Sequence, residues 1–87
     1  MTRTQTIARN IRLRVAMLLA HAPTWDVVEA QRAAGLDPAQ WSRYQGGRER
    51  YCSDAMLERI AKGLWVEDGQ QLLLSPTAVV ALPIANA

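Results

Sequence analysis

Between Ile7 and Ala20 neither Pro nor Gly interrupts a run of good helix formers, and Pro23 follows shortly after. The pattern predicts a first helix that ends before that proline. Two apolar rows recur along it at helical spacing. One holds Ile7, Ile11, Val15 and Leu18; the other holds Leu13, Ala16, Met17 and Ala20. A small core needs only one of them. Arg14 lies on the row of Ile7, which leaves two readings: one side of the helix against another subunit, or a broad core face from which Arg14 carries its charge out to water on a long stem.

Thr24 is the expected N-cap of a second helix, with Asp26 in its first turn and Ala34 near its end. Gly35 then supplies the positive φ that a helix C-terminus prefers. A third helix starts almost at once, with Asp37 as N-cap, Pro38 at the first helical position and Gln40 at the third, and Gly46-Gly47 stops it. Two helices joined this tightly must cross steeply. Ser53 can cap a fourth helix from Asp54 to about Leu64, whose stripe of Leu57, Ile60, Ala61 and Leu64 makes it a core packer, with Glu58 and Lys62 as an exposed i,i+4 pair. Residues 65 to 69 read as a turn, and residues 70 to 74 as a helical turn or a short strand. Ser75-Pro76 signals a helix start, but Leu72 to Ile84 is rich in β-branched residues and contains Pro83, so the type of that segment stays open.

The expected fold class is therefore all-α, a compact bundle of four to five short helices. Residues 1–70 form the expected domain, and 71–87 an apolar C-terminal segment for oligomerisation or a tail. A length of 87 residues fits one domain, and a composition 49% hydrophobic and 21% charged fits a folded one. Cys52 is the single cysteine, so no intrachain disulfide can form and a reducing compartment is expected. No window has the apolar length of a membrane span, and the N-terminus lacks a signal-peptide core. Cytoplasmic localisation is the expectation.

The net charge of +2 is modest but unevenly placed. Residues 1–50 hold eight arginines against four acids, whereas residues 51–87 hold Arg59 and Lys62 against four acids. Nine of the ten basic residues are arginine, whose planar fork suits phosphate and guanine edges.

A helix, a turn of about three residues opened by Gly, and a short capped helix make a helix-turn-helix layout. The stretch Ala33-Ala34-Gly35-Leu36-Asp37-Pro38-Ala39-Gln40-Trp41-Ser42-Arg43-Tyr44-Gln45-Gly46-Gly47, followed by Leu57-Glu58-Arg59-Ile60-Ala61-Lys62-Gly63-Leu64, resembles the lambda-repressor-like (Cro/cI-type) DNA-binding regulators of phages and bacteria. Within that family, Gln40-Trp41-Ser42-Arg43-Tyr44 and Trp65-Val66-Glu67-Asp68 are similar in character to the phage CII activators. The resemblance covers roughly residues 11 to 70. It implies a sequence-specific double-stranded DNA-binding transcriptional regulator with helix 38–45 in the major groove, acting as a homodimer or higher homo-oligomer. Two positions depart from the family pattern. Gln31 stands where a small residue is usual, with Ala30 adjacent, so either the second and third helices touch less closely or the second is shifted by a residue. Trp25 or Val27 replaces the polar residue that touches phosphate in relatives.

Residue placement sharpens the expectation. Trp41 is spaced to face inward and pin the third helix, with Tyr44 near the same side. Gln40 and Arg43 on the other face suit adenine and guanine, and Ala39 and Ser42 share that surface. Arg48 and Arg50 of the following loop, with Arg3 and Arg9, suit phosphate. For each arginine a solvent-facing charge is the plain alternative. Catalysis is not expected: His21 is alone near a helix end, Cys52 reads as a structural thiol without a histidine partner, and neither paired acids nor a zinc-ligand set is evident. No cofactor, metal, membrane or small-molecule substrate is expected. The competing reading is a protein-interaction module, adaptor or antitoxin-like, that keeps the helical fold and uses the apolar run Leu72 to Ile84.

Overall fold

The computed structural model describes residues 1–84; the end of the expected 71–87 segment lies outside the described residues. The chain is all-helical, with five α-helices in one compact body and no strand among the described residues. They are α1 (Arg3–His21), α2 (Val27–Ala34), α3 (Pro38–Gln45), α4 (Asp54–Gly63) and α5 (Pro76–Ala81), with a 3-10 helix (Gly69–Leu73) between α4 and α5.

Helix α1 begins four residues before the apolar periodicity does. Thr2 caps it and Gln5 returns a bond to the Thr2 amide, a capping box that ignores the hydrophobic pattern. The row Ile7, Ile11, Val15 and Leu18 enters the core, while Leu13 and Met17 are half-buried and Ala16 and Ala20 exposed. The cap of α2 is Asp26, not Thr24: its carboxylate accepts from the Glu29 amide. The start of α3 is as expected, Asp37 accepting from the Gln40 amide with Pro38 in the first turn. The start of α4 is capped by Ser53.

Three helices end on one motif. After α2, α3 and α4, residues Gly35, Gly47 and Trp65 take left-handed backbone (φ 69°, 72° and 56°). Each time, the next amide reaches back to a carbonyl five residues earlier: Leu36 to Gln31, Arg48 to Arg43, and Val66 to Ala61. Glycine adopts this conformation freely. Tryptophan does not, at a cost of about 1–2 kcal/mol.

The second half of the chain is held by two polar side chains of α1. Asn10 and Arg14, one turn apart, are both fully buried. The Asn10 amide donates to the carbonyls of Leu72 (2.9 Å) and Leu74 (2.8 Å). The Arg14 guanidinium donates to Leu64 (3.0 Å), Trp65 (2.9 Å), Leu82 (2.8 Å) and Pro83 (2.9 Å). Arg14 therefore does not carry its charge to water. Burial lowers its pKa, but a guanidinium stays protonated in proteins. The segment whose type the sequence left open is a 3-10 helix followed by α5, and Leu72 and Val79 are fully buried in the same body as α1.

Helices α2 and α4 approach closely because both are small at the crossing. A Cβ on Gly63 would lie 2.5 Å from the Ala30 carbonyl oxygen, and Ala30 is fully buried. The small residue of α2 is thus at 30 rather than 31, and it serves the contact with α4. Glu58 does not pair with Lys62: its carboxylate accepts from the Gly69 amide at 2.9 Å and fastens the 3-10 helix to α4. The Trp25 indole N–H is buried with no hydrogen-bond partner among the described residues.

Two stability predictions follow from these contacts. Replacing Arg14 by Met keeps the volume but orphans buried carbonyls at about 1–3 kcal/mol each, so Arg14→Met should lose about 3 kcal/mol or more in urea denaturation. Arg14→Lys should rescue little, since an ammonium cannot span carbonyls on two segments. Gly63→Ala gains about 1 kcal/mol of helix propensity. Overpacking against the backbone of α2 typically costs about 1–3 kcal/mol, and the short contact places this site at the upper end. A net destabilisation of about 1–2 kcal/mol is expected; a stabilised variant would show that α2 moves freely.

Candidate nucleic-acid interface

Helix α3 is fixed from behind. Trp41 is 2% exposed and belongs to the same core as Leu57, Ile60, Ala61 and Leu64, and its indole N–H donates to Gln45 Oε1 at 2.9 Å. Tyr44 is half-buried against the same core, and burial raises its pKa. From α1, Arg12 donates to the Gln45 carbonyl at 2.6 Å, which ties down the C-terminal end of α3. From α4, Arg59 donates to the carbonyls of Ala34 and Gly35, both at 2.7 Å. A cation on the last carbonyls of α2 opposes the negative end of its dipole and fixes the Gly35–Asp37 turn from which α3 departs.

With Trp41 inward, Ala39, Ser42 and Arg43 are exposed on one continuous strip that runs to Gly46. Gln40 is half-buried at the strip's edge. Arg43 is the charged centre of the strip and is not free. Its Nε donates to Glu49 at 2.6 Å, and that hydrogen bond raises its pKa. Arg48 folds back onto the Ser42 hydroxyl at 3.1 Å, and Arg50 is exposed. The loop after α3 thus brings Ser42, Arg43, Arg48 and Glu49 together.

The arginines expected at phosphate divide. Arg3 pairs with Asp54 at 2.6 Å, beside the start of α4, and is held there by a carboxylate. The same hydrogen bond holds the Asp54 carboxyl below its usual range. Arg9 reaches Asn10 Oδ1 (3.0 Å) and, at 3.4 Å, the Leu74 carbonyl. It lies with Arg12 beside Gly46 and Gly47, at the end of the α3 strip. Arg12 and Arg59 belong to the site's framework and were assigned no role from sequence. Their signal is weak: one stands three residues after Arg9, and the other lies on a helix whose pattern shows chiefly an apolar stripe.

The remaining chemistry is sparse. Cys52 is buried, and desolvation pushes its thiol pKa up, which disfavours the reactive thiolate. His21 is exposed in the last turn of α1. Among the described residues no three His, Cys, Asp or Glu side chains group as metal ligands, and no helix is long and apolar enough to cross a membrane.

The turn glycines give a graded prediction for the placement of α3. Both need positive φ, so alanine costs about 1–2 kcal/mol at either. At Gly47 the new Cβ meets only Ala8, at 3.5 Å, whereas at Gly35 it would lie 2.7 Å from Arg59 Nη2 and dislodge that arginine. Gly35→Ala should therefore lower the urea midpoint more than Gly47→Ala. Equal losses would mean that Arg59 does not hold the turn.

No family model, curated protein or solved structure matches the chain.

Proposed function

We propose that the protein is a sequence-specific double-stranded DNA-binding regulator that reads the major groove with α3. The observation carrying this reading is the α3 strip: a short helix anchored behind by Trp41 presents small and polar side chains, Ala39, Ser42 and Arg43, flanked by arginines. A helix docked in a major groove needs a rigid rear and an outer face of small residues and hydrogen-bonding groups. In this reading α2 and α3 are the two members of a helix-turn-helix. Arg43 reads guanine, Gln40 reaches a base from the edge of the strip, and Ala39 and Ser42 fit against their neighbours. Arg48 and Arg50 hold phosphates.

The ion pair between Arg43 and Glu49 is compatible with this role. Exposed pairs are worth about 0–1 kcal/mol, and a bidentate contact with guanine contributes about 1–3 kcal/mol of discrimination. The DNA contact therefore wins. The protein-interaction alternative keeps only part of its footing, because Leu72 and Val79 of the apolar run on which it rested are fully buried within this chain while Leu74 and Val80 are exposed. A single short helix reads a short half-site, so the reading includes assembly as a homodimer or higher oligomer on repeated half-sites.

The test is selection from a randomised duplex pool at two salt concentrations, with Gln40→Ala, Arg43→Ala in parallel. A short motif is expected that the variant loses, with at least tenfold weaker binding to the selected site. Recovery of the same motif by the variant rejects α3 as the reader, and an absence of binding rejects the function.

A further inference from the structure

An open groove of about 570 Å³ lies where the α3 strip ends, between the first half of α1 and the Gly46-Gly47 turn. Arg9 and Arg12 line it together with Gln5, Met1 and the two glycines. No acid is among its lining residues, and the two ion pairs among the described residues, Arg3–Asp54 and Arg43–Glu49, involve neither of its arginines. Both guanidinium groups are positioned by the fold. Arg12 is anchored on the Gln45 carbonyl by one of its five N–H groups, and Arg9 is steadied by Asn10 Oδ1, the Leu74 carbonyl and the Met1 sulfur, which leaves it two N–H groups for a ligand.

A helix C-terminus ordinarily repels an anion. Here the carbonyls at the end of α3 are already satisfied. Ser42, Arg43 and Tyr44 accept from the amides of Gly46, Arg48 and Gly47, and Gln45 accepts from Arg12. The two glycines put no side chain into the opening. The volume exceeds that of a bare ion and falls in the range of small-molecule clefts; a sugar–phosphate unit fits within it with room for water, and the Met1 side chain lines the opening.

We propose that this groove seats one sugar–phosphate unit of the DNA strand beside the bases read by α3, with Arg9 and Arg12 gripping its phosphate. The inference rests on the DNA-binding reading and adds to it a specific anchor and a new residue, Arg12. Because the groove continues the α3 strip past Gly46, the seated phosphate would set how far α3 slides along the major groove. The same chemistry could come from a free phosphate compound, so the test includes both sources.

Wild type, Arg9→Gln/Arg12→Gln and the charge-keeping Arg9→Lys/Arg12→Lys are compared, with Arg32→Gln on α2 as a surface control. Thermal denaturation first establishes that each is folded. Binding to the selected duplex is measured across salt, and backbone amides are followed by NMR during titration with inorganic phosphate and with a mononucleotide. The double Gln variant should bind roughly tenfold more weakly at 0.1 M salt, with a salt slope lower by about 0.9 for the one phosphate lost. Its base preference should be unchanged, and the Lys pair should restore the slope. An unchanged slope overturns the proposal, as does an equal loss in Arg32→Gln. If no duplex binds to wild type, the DNA reading itself fails. Saturable shifts at Gly46 and Gly47 with the mononucleotide, lost in the Gln pair, would then assign the groove to a free phosphate compound and overturn the strand proposal.

Discussion

The fold depends on a buried cation that has carbonyls for company. Arg14 stands in the middle of α1 and donates to two carbonyls at the end of α4 and two beyond α5. It thereby closes the chain from Leu64 to Pro83 into one loop on a single guanidinium. Desolvating a charge is expensive, and here the offset comes from four peptide dipoles, two of them at a helix C-terminus where a cation is favoured. Asn10, one turn earlier, repeats the device with Leu72 and Leu74. These bonds deliver Leu72 and Val79 to the core. They also hold the Trp65 carbonyl, and so stabilise a left-handed residue that the local sequence disfavours. The strain at Trp65 and the buried charge at Arg14 are each unfavourable alone; together they form one joint.

From that joint the placement of α3 can be followed through α1. Arg12 and Arg14 are two residues apart, roughly 200° around the helix, so they serve opposite sides. One side grips the C-terminal segment. The other fastens the end of α3 through Gln45 and supplies the groove beside Gly46. Helix α2 touches α3 through the Gly35 turn and is itself pressed onto α4 at Ala30 and Gly63, where the small side chains allow the backbones to meet. Arg59 bridges these two regions, since it grows from α4 and binds the turn. The orientation of the exposed strip is thus set by backbone-directed arginines on two helices as much as by the apolar core.

Much of this was legible where local grammar and hydrophobic spacing agree. Asp37-Pro38 announces α3 and Ser53 announces α4, whereas helical spacing offers two apolar rows on α1 without saying that the row of Ile7, which carries Arg14, is the buried one. Where they disagree, the local signal won: Thr2 starts α1 ahead of its apolar row, and Asp26, one residue before α2, outcompetes Thr24. The C-terminal segment is ambiguous in sequence because its β-branched residues speak for strand while its caps speak for helix; the caps at Asp68 and Ser75 form, and bonds from α1 hold the carbonyls of Leu72, Leu74, Leu82 and Pro83. Arg14 defeated sequence reading as well. A guanidinium on an apolar row points to burial only if carbonyls fifty and more residues away converge on it. The left-handed turn at Trp65 carried no glycine to mark it. For the candidate site, the exposed strip followed from helical geometry, but which arginines were already engaged could not be counted from composition.

That count decides what a cationic sequence can do. Arg14 is consumed by the interior, Arg59 by the turn, Arg3 by Asp54, and Arg43 is shared with Glu49. Arg9, Arg12, Arg32, Arg48 and Arg50 are left outside ion pairs among the described residues; of these Arg9 and Arg12 line the groove at the end of α3, Arg12 with one N–H on the Gln45 carbonyl. Concentration matters more than total charge for a partner with closely spaced phosphates, because each neutralised phosphate releases counterions only where a cation can reach it. Glu49 has a consistent place in this arrangement. It orients the Arg43 fork through their 2.6 Å ion pair, and on the proposed DNA-binding reading its charge would repel phosphate from that spot. On that reading, backbone contact would be directed to the glycine end of α3 and Arg43 left for a base edge.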